Sequence, residues 1–90
     1  MPKIHELKTL SEYYDAVERG LKTYELRFDD RGYAVGDLLD LREIKDGKYT
    51  GRRKMVEITH ILKGFEGLKD GWAVLSIKTF CRGKKQCLKR

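Results

Sequence analysis

The sequence predicts an α+β domain that is mainly β, a small curled antiparallel sheet or barrel with one main helix packed beside it. Three observations lead there. One stretch carries apolar residues at helical spacing, most of the rest alternates with a period of two, and glycines divide the alternating runs at short intervals. So few helical residues cannot cover a parallel α/β sheet. Antiparallel strands that curl on themselves, with the helix over one opening, remain.

Residues 3–8 alternate weakly and read as the first strand. Leu10, Tyr13, Tyr14, Val17 and Leu21 follow at spacings of three and four, one apolar helical stripe. Thr9 with Glu12 fits a capping box at its start, and Gly20 fits a left-handed cap at its end. The period then changes to two. Tyr24, Leu26 and Phe28 alternate with Thr23, Glu25 and Arg27, as in a half-buried strand that is apolar on one side and polar on the other. Asp29-Asp30-Arg31-Gly32 reads as a loop and Val35-Gly36-Asp37 as a tight turn. Residues 38–44 form the next strand. Asp46-Gly47 marks a hairpin loop, lengthened by residues 48–51. Residues 52–62 form a long strand whose parity slips between Ile58 and Ile61, which predicts a bulge or bend. Gly64, Gly67 and Gly71 punctuate a loop. Residues 72–80 are β-branched and aromatic enough for a central strand, with Trp72 packed in the core or, alternatively, stacking on a base.

Ninety residues make one domain with one small core. Residues 1–77 carry 14 Lys and Arg against 14 Asp and Glu, so the body is neutral. The whole excess of +6 comes from Lys78, Arg82, Lys84, Lys85, Lys89 and Arg90. The expected division is a folded domain over residues 1–78 and a basic, flexible tail over 79–90. Such a tail attracts phosphates through counterion release, or serves only solubility. Cys81 and Cys87 are too few for a disulfide framework. Without CxxC or HxxxH spacing they define no metal site with His5 or His60, and neither metal nor cofactor is expected. No apolar run nears the ~20 residues of a membrane span, and the N-terminus has no secretory signal. A soluble, cytoplasmic protein is the expectation.

The chemistry concentrates in Gly20-Leu-Lys-Thr-Tyr-Glu-Leu-Arg27. Gly20 turns the chain out of the helix. Lys22 stands at the mouth of the strand, and Glu25 and Arg27, two apart, share a face. Arginine matches a phosphate or a base edge in bidentate fashion, glutamate accepts from an exocyclic amine such as that of cytosine, and lysine pairs with phosphate. The competing reading is an exposed cross-strand ion pair worth under ~1 kcal/mol.

The pattern Gly20-x-Lys22-x-x-Glu25-x-Arg27, with Val35-Gly36-Asp37 at the start of a later strand, resembles the ASCH domain of the PUA-like superfamily. His5-Glu6-Leu7-Lys8, Asp30-Arg31, Tyr49-Thr50-Gly51-Arg52, and Gly67-Leu68 leading to Trp72 and Val74-Leu75-Ser76-Ile77 resemble a small branch of it found in bacteria and phages. The resemblance spans residues 4–78. It implies a PUA-like β-barrel with a cleft beside the helix, lined by Lys22, Glu25 and Arg27, and RNA binding as the activity. One ASCH relative is an amidohydrolase that deacetylates acetylcytidine. Its catalytic lysine falls at Lys22, and Glu25 stands where it has a catalytic threonine.

The leading expectation is therefore a non-catalytic module for RNA or a nucleotide. A small hydrolase of a modified nucleoside, using Lys22, and a protein-interaction module are the alternatives. Arg31 reaches the same cleft or holds its loop in an ion pair. His5 sits at the cleft rim or serves a structural hydrogen bond. Arg52-Arg53-Lys54 is a phosphate contact or a solvated charge cluster. Tyr13 and Tyr14 are assigned to packing.

Overall fold

The structure, a computed structural model, describes residues 2–80. In chain order it contains β1 (Ile4–Leu10), α1 (Ser11–Glu18), β2 (Tyr24–Phe28), β3 (Leu38–Lys45), β4 (Lys48–Lys63) and β5 (Trp72–Thr79). The five strands form one curled sheet, a half-barrel, in the order β1-β3-β4-β5-β2. Helix α1 packs against β1 and β3. The mainly β class with one short helix is as the sequence predicts. The predicted tail residues Arg82, Lys84, Lys85, Lys89 and Arg90, like Cys81 and Cys87, lie outside the described residues.

The sheet is mixed rather than antiparallel throughout. Three strand pairs are antiparallel, but β1 runs parallel to β3. Asp37 fixes that direction by tying the starts of both strands together. Its carboxylate accepts from the Lys3 amide at 3.1 Å and from His5 Nε2 at 2.9 Å, while the Leu38 amide donates to the Lys3 carbonyl at 2.8 Å. The long connection a parallel pair needs is supplied by α1 and β2.

The core sits inside the curl. Leu7 from β1, Leu39 and Leu41 from β3, Val56 and Ile58 from β4, and Leu75 and Ile77 from β5 form one buried cluster, joined by Val17 of α1. Each such aliphatic side chain contributes about 1.5–3 kcal/mol by leaving water. The helical stripe is narrower than its spacing predicts. Tyr14 and Val17 are buried, whereas Leu10, Tyr13 and Leu21 are exposed. The capping box does not form: Leu10 is the N-cap and Thr9 belongs to β1. Alternation continues past Lys8, so Thr9 follows His5 and Leu7 to the inner face. Gly20 does take positive φ, 76°.

Strand β2 is turned inside out relative to its polarity. Tyr24, Leu26 and Phe28 are 49%, 49% and 51% exposed, while Glu25 is 4% exposed. The polar face thus lines the inside of the curl. The apolar face joins partners on the outer surface, with Leu26 beside Val74 and Val74 beside Leu62, and with Phe28 edge-on to Trp72. Trp72 accordingly lies on this outer face rather than in the core.

The predicted bulge is present as a register shift between Ile58 and His60. The hairpin is tighter than expected. Asp46 and Gly47, with φ of 52° and 78°, make a two-residue turn, so β4 begins at Lys48: Lys48 and Tyr49 pair with Lys45 and Ile44, and the register then shifts before Arg53 meets Arg42. As predicted, β5 is internal, between β4 and β2.

Candidate functional site

The curl brings β2 opposite β1, and a cleft of about 450 Å³ opens beside them and α1. Its lining includes Thr9 from β1, Tyr13 from α1, and Lys22, Tyr24, Glu25 and Arg27 from the motif. Gly20 ends α1 so that Lys22 enters at the mouth of β2, where its amide donates to the Ala16 carbonyl at 3.0 Å. The period of two then turns Glu25 and Arg27 to the same side.

Glu25 is the buried centre. Its Oε1 accepts from Lys22 Nζ at 2.6 Å, and its Oε2 accepts from Arg27 Nε at 3.1 Å and Nη2 at 2.9 Å. Lys22 Nζ also donates to the Tyr24 carbonyl at 2.7 Å, so two of its three N–H donors are engaged. The ammonium lies 4.7 Å from the Tyr24 ring centroid and 5.8 Å from that of Tyr13, within cation–π range. Arg27 Nη2 reaches across to the Lys8 carbonyl at 2.9 Å. The cleft therefore combines a carboxylate clamped by two cations with two tyrosine rings.

Thr9 adds a second feature. Its hydroxyl is buried and has no hydrogen-bond partner among the described residues, and Thr9 lines the cleft. A buried polar group without a partner costs roughly 1–3 kcal/mol.

A smaller cleft of about 350 Å³ adjoins the first and shares Lys8 and Arg27 with it. Arg31 lines this one, not the first, together with Arg42 and Tyr49. Arg31 Nη1 donates to the Glu6 carbonyl at 2.9 Å and Nε lies 3.6 Å from Asp30. Its loop is held by Asp29, which accepts from the Gly32 and Tyr33 amides at 2.9 and 3.2 Å and from Lys63 Nζ at 2.6 Å. The Lys63 hydrogen bond, aided by those amides, holds the Asp29 carboxyl down at about 2.

Of the predicted site residues, Lys22, Glu25 and Arg27 come together as expected and Arg31 stands next door. His5 lines neither cleft. It is buried against Asp37 and meets the Tyr33 ring edge-on at 4.8 Å, a structural role. Burial pushes the Asp37 carboxyl up, but hydrogen bonds from His5 and the Lys3 and Ala34 amides outweigh it and keep the carboxyl below its ordinary value. Arg52, Arg53 and Lys54 hold structural acids. Arg52 pairs with Glu43 and Asp15, Arg53 with Asp40, and Lys54 with Glu18. Sequence reasoning missed Thr9, read as a cap, and Tyr13, read as packing. The continued alternation of His5, Leu7 and Thr9 was the available signal for the former. Among the described residues, no group of three or more His, Cys, Asp or Glu side chains could hold a metal, and no helix is long and apolar enough to cross a membrane.

Fold and site together define a small, mainly β half-barrel with a charged cleft beside its helix. Residues 4–77 match the family described as "Domain of unknown function (DUF3850)", and the chain belongs to that family. It is also similar to the "Uncharacterized 12.9 kDa protein in GpA 3′region" of Escherichia phage P2, with 41% identity over 70 residues. That match takes in 78% of this chain but 64% of the phage protein, so the chain spans less than two thirds of its relative's length.

Proposed function

We propose that the cleft beside α1 binds a nucleotide unit, in RNA or free, and that the protein is a recognition module of the ASCH type on a PUA-like half-barrel. The observation that carries this reading is the buried Glu25 carboxylate, clamped by Lys22 and Arg27 at a cleft with Tyr13 and Tyr24 in its lining. An ion triad buried in this way is a weak device for stability, because desolvation offsets much of its attraction. It is a good device for recognition. Glu25 can accept from an exocyclic amine, Lys22 retains a free N–H donor, and the tyrosine rings offer stacking surface for a base. The neutral body gives no general basic face, so affinity arises locally. The excess positive charge of residues 78–90 adds a salt-dependent component for RNA.

Titration calorimetry with cytidine tests the pocket. Lys22→Ala and Arg27→Ala weaken binding at least tenfold while each variant still melts cooperatively. Affinity unchanged in both variants would sink the pocket.

The Thr9 hydroxyl favours a second reading. It shares the cleft with Lys22, so a threonine is present for deacetylation of acetylcytidine, though not at the position the resemblance predicts. Water would then be consumed and cytidine and acetate released. Turnover that disappears in both Lys22→Ala and Thr9→Val establishes this reading, and its absence at high enzyme concentration removes it.

A further inference from the structure

We propose that the smaller cleft is a phosphate subsite, so that the ligand is a phosphorylated nucleotide unit with its base in the first cleft and its phosphate ester in the second. The proposal rests on the base reading of the first cleft. The two spaces are continuous, since Lys8 and Arg27 line both.

The guanidiniums around the smaller cleft also keep unused donors. Arg27, Arg31 and Arg42 all line the smaller cleft. Each guanidinium is held in place by part of its donor set. Arg27 uses Nε and Nη2 on Glu25 and the Lys8 carbonyl. Arg31 uses Nη1 on the Glu6 carbonyl, with Nε toward Asp30. Arg42 uses Nε on Asp40 and Nη2 on Asp40 and Glu6. Arg27 Nη1, Arg31 Nη2 and Arg42 Nη1 donate to no partner among the described residues. The Lys8 ammonium and the Tyr49 hydroxyl are likewise without one. Anchored guanidiniums with spare N–H groups suit phosphate, whose oxygens accept several charge-assisted bonds at once.

One acid opposes the anion. Glu6 lines the cleft and pairs with Arg42 at 2.9 Å, its side chain 64% exposed. Removing its charge should therefore tighten phosphate binding, an effect opposite in sign to that of removing an arginine.

Calorimetric titration with cytidine, cytidine 5′-monophosphate, inorganic phosphate and a trinucleotide of cytidine without terminal phosphates tests the subsite. The monophosphate should bind at least tenfold more tightly than cytidine. Arg42→Gln should erase most of that difference and Glu6→Gln should enlarge it. Arg42→Gln leaves Asp40 paired with Arg53, so the fold keeps its partner for that buried acid, and a melting curve checks it. Arg31→Gln provides an independent variant on another element. Trinucleotide binding that exceeds the monophosphate's, and falls in Arg42→Gln, supports the subsite with RNA as the source of the phosphate. Tighter monophosphate binding supports it with a free nucleotide. Equal affinity for cytidine and its monophosphate overturns the subsite and leaves the base reading standing. Arg42-dependent binding of inorganic phosphate without any binding of cytidine supports the anion site and overturns the base reading. Binding of none of the four overturns both.

Discussion

Arg27 donates from Nη2 to the main-chain oxygen of Lys8 at 2.9 Å and so carries β2 across to β1, the strand at the far end of the sheet order. Arg31 makes the same crossing to the Glu6 carbonyl. Glu6 and Lys8 are two apart, so both carbonyls point along the free edge of β1. Two arginine side chains thus bridge the gap of the half-barrel where backbone pairing is absent, and they blunt an edge that would otherwise be open to another strand. Because Arg27 also clamps Glu25, the bridge and the candidate site are one construction.

Replacing members of the triad should therefore affect stability in a set order. Glu25→Ala leaves two cations side by side without their counter-charge and should cost about 3–5 kcal/mol. Arg27→Ala leaves Glu25 with Lys22 and should cost roughly 2 kcal/mol, more than Arg27→Lys. Urea midpoints measure this. A Glu25→Ala variant as stable as wild type would show that the triad does not hold the curl together.

Thr9 should separate stability from binding. Thr9→Val removes the unpartnered buried hydroxyl at nearly constant volume and should stabilise the free protein by about 1 kcal/mol. The same change should weaken cytidine binding about tenfold, the equivalent of ~1.4 kcal/mol. Thr9→Ser should retain binding. A thermal melt and a titration on each variant read out the two effects, and loss of stability in Thr9→Val without loss of binding would contradict the assignment.

Acid should loosen the structure in a defined window. Hydrogen bonds from Arg52, Ser11 and Thr50 hold the Glu43 carboxyl at about 2, and Lys63 does the same for Asp29. In the unfolded chain these groups titrate near pH 4. The folded form binds fewer protons, so the stabilisation is complete above that range and is lost as pH falls from about 4.5 toward 2. Urea midpoints should stay level near neutral pH and then fall through this window. Glu43→Gln should lessen the fall, and a midpoint that does not change down to pH 2.5 would contradict the role of both carboxylates. In the folded form Asp29 keeps its charge until about pH 2, so the loop that carries Arg31 stays tied until the foot of this window.

Much of this was legible in particular residues. The slip between Ile58 and Ile61 located the bulge, Gly20 located the end of α1, and the spacing of Lys22, Glu25 and Arg27 placed their charges together. The direction in which β2 faces was not legible. A period of two defines two faces but not which of them is inside. Apolar Tyr24, Leu26 and Phe28 marked the wrong one, because Lys22 and Arg27 satisfy the buried charge of Glu25. The parallel pairing of β1 with β3 depends on Asp37 meeting Lys3 and His5 from more than 30 residues away, which no local pattern encodes. Thr9 was misread because a threonine three residues before a glutamate matches a capping box as well as it continues a strand.

The most direct measurement is a map of backbone amide shifts in the ¹⁵N-labelled protein titrated with cytidine 5′-monophosphate. The largest changes are expected at Thr9 and from Lys22 to Arg27, followed by Arg31 and Arg42. Changes confined to the outer apolar face, at Leu62, Trp72 and Val74, or no changes at millimolar ligand, would contradict it.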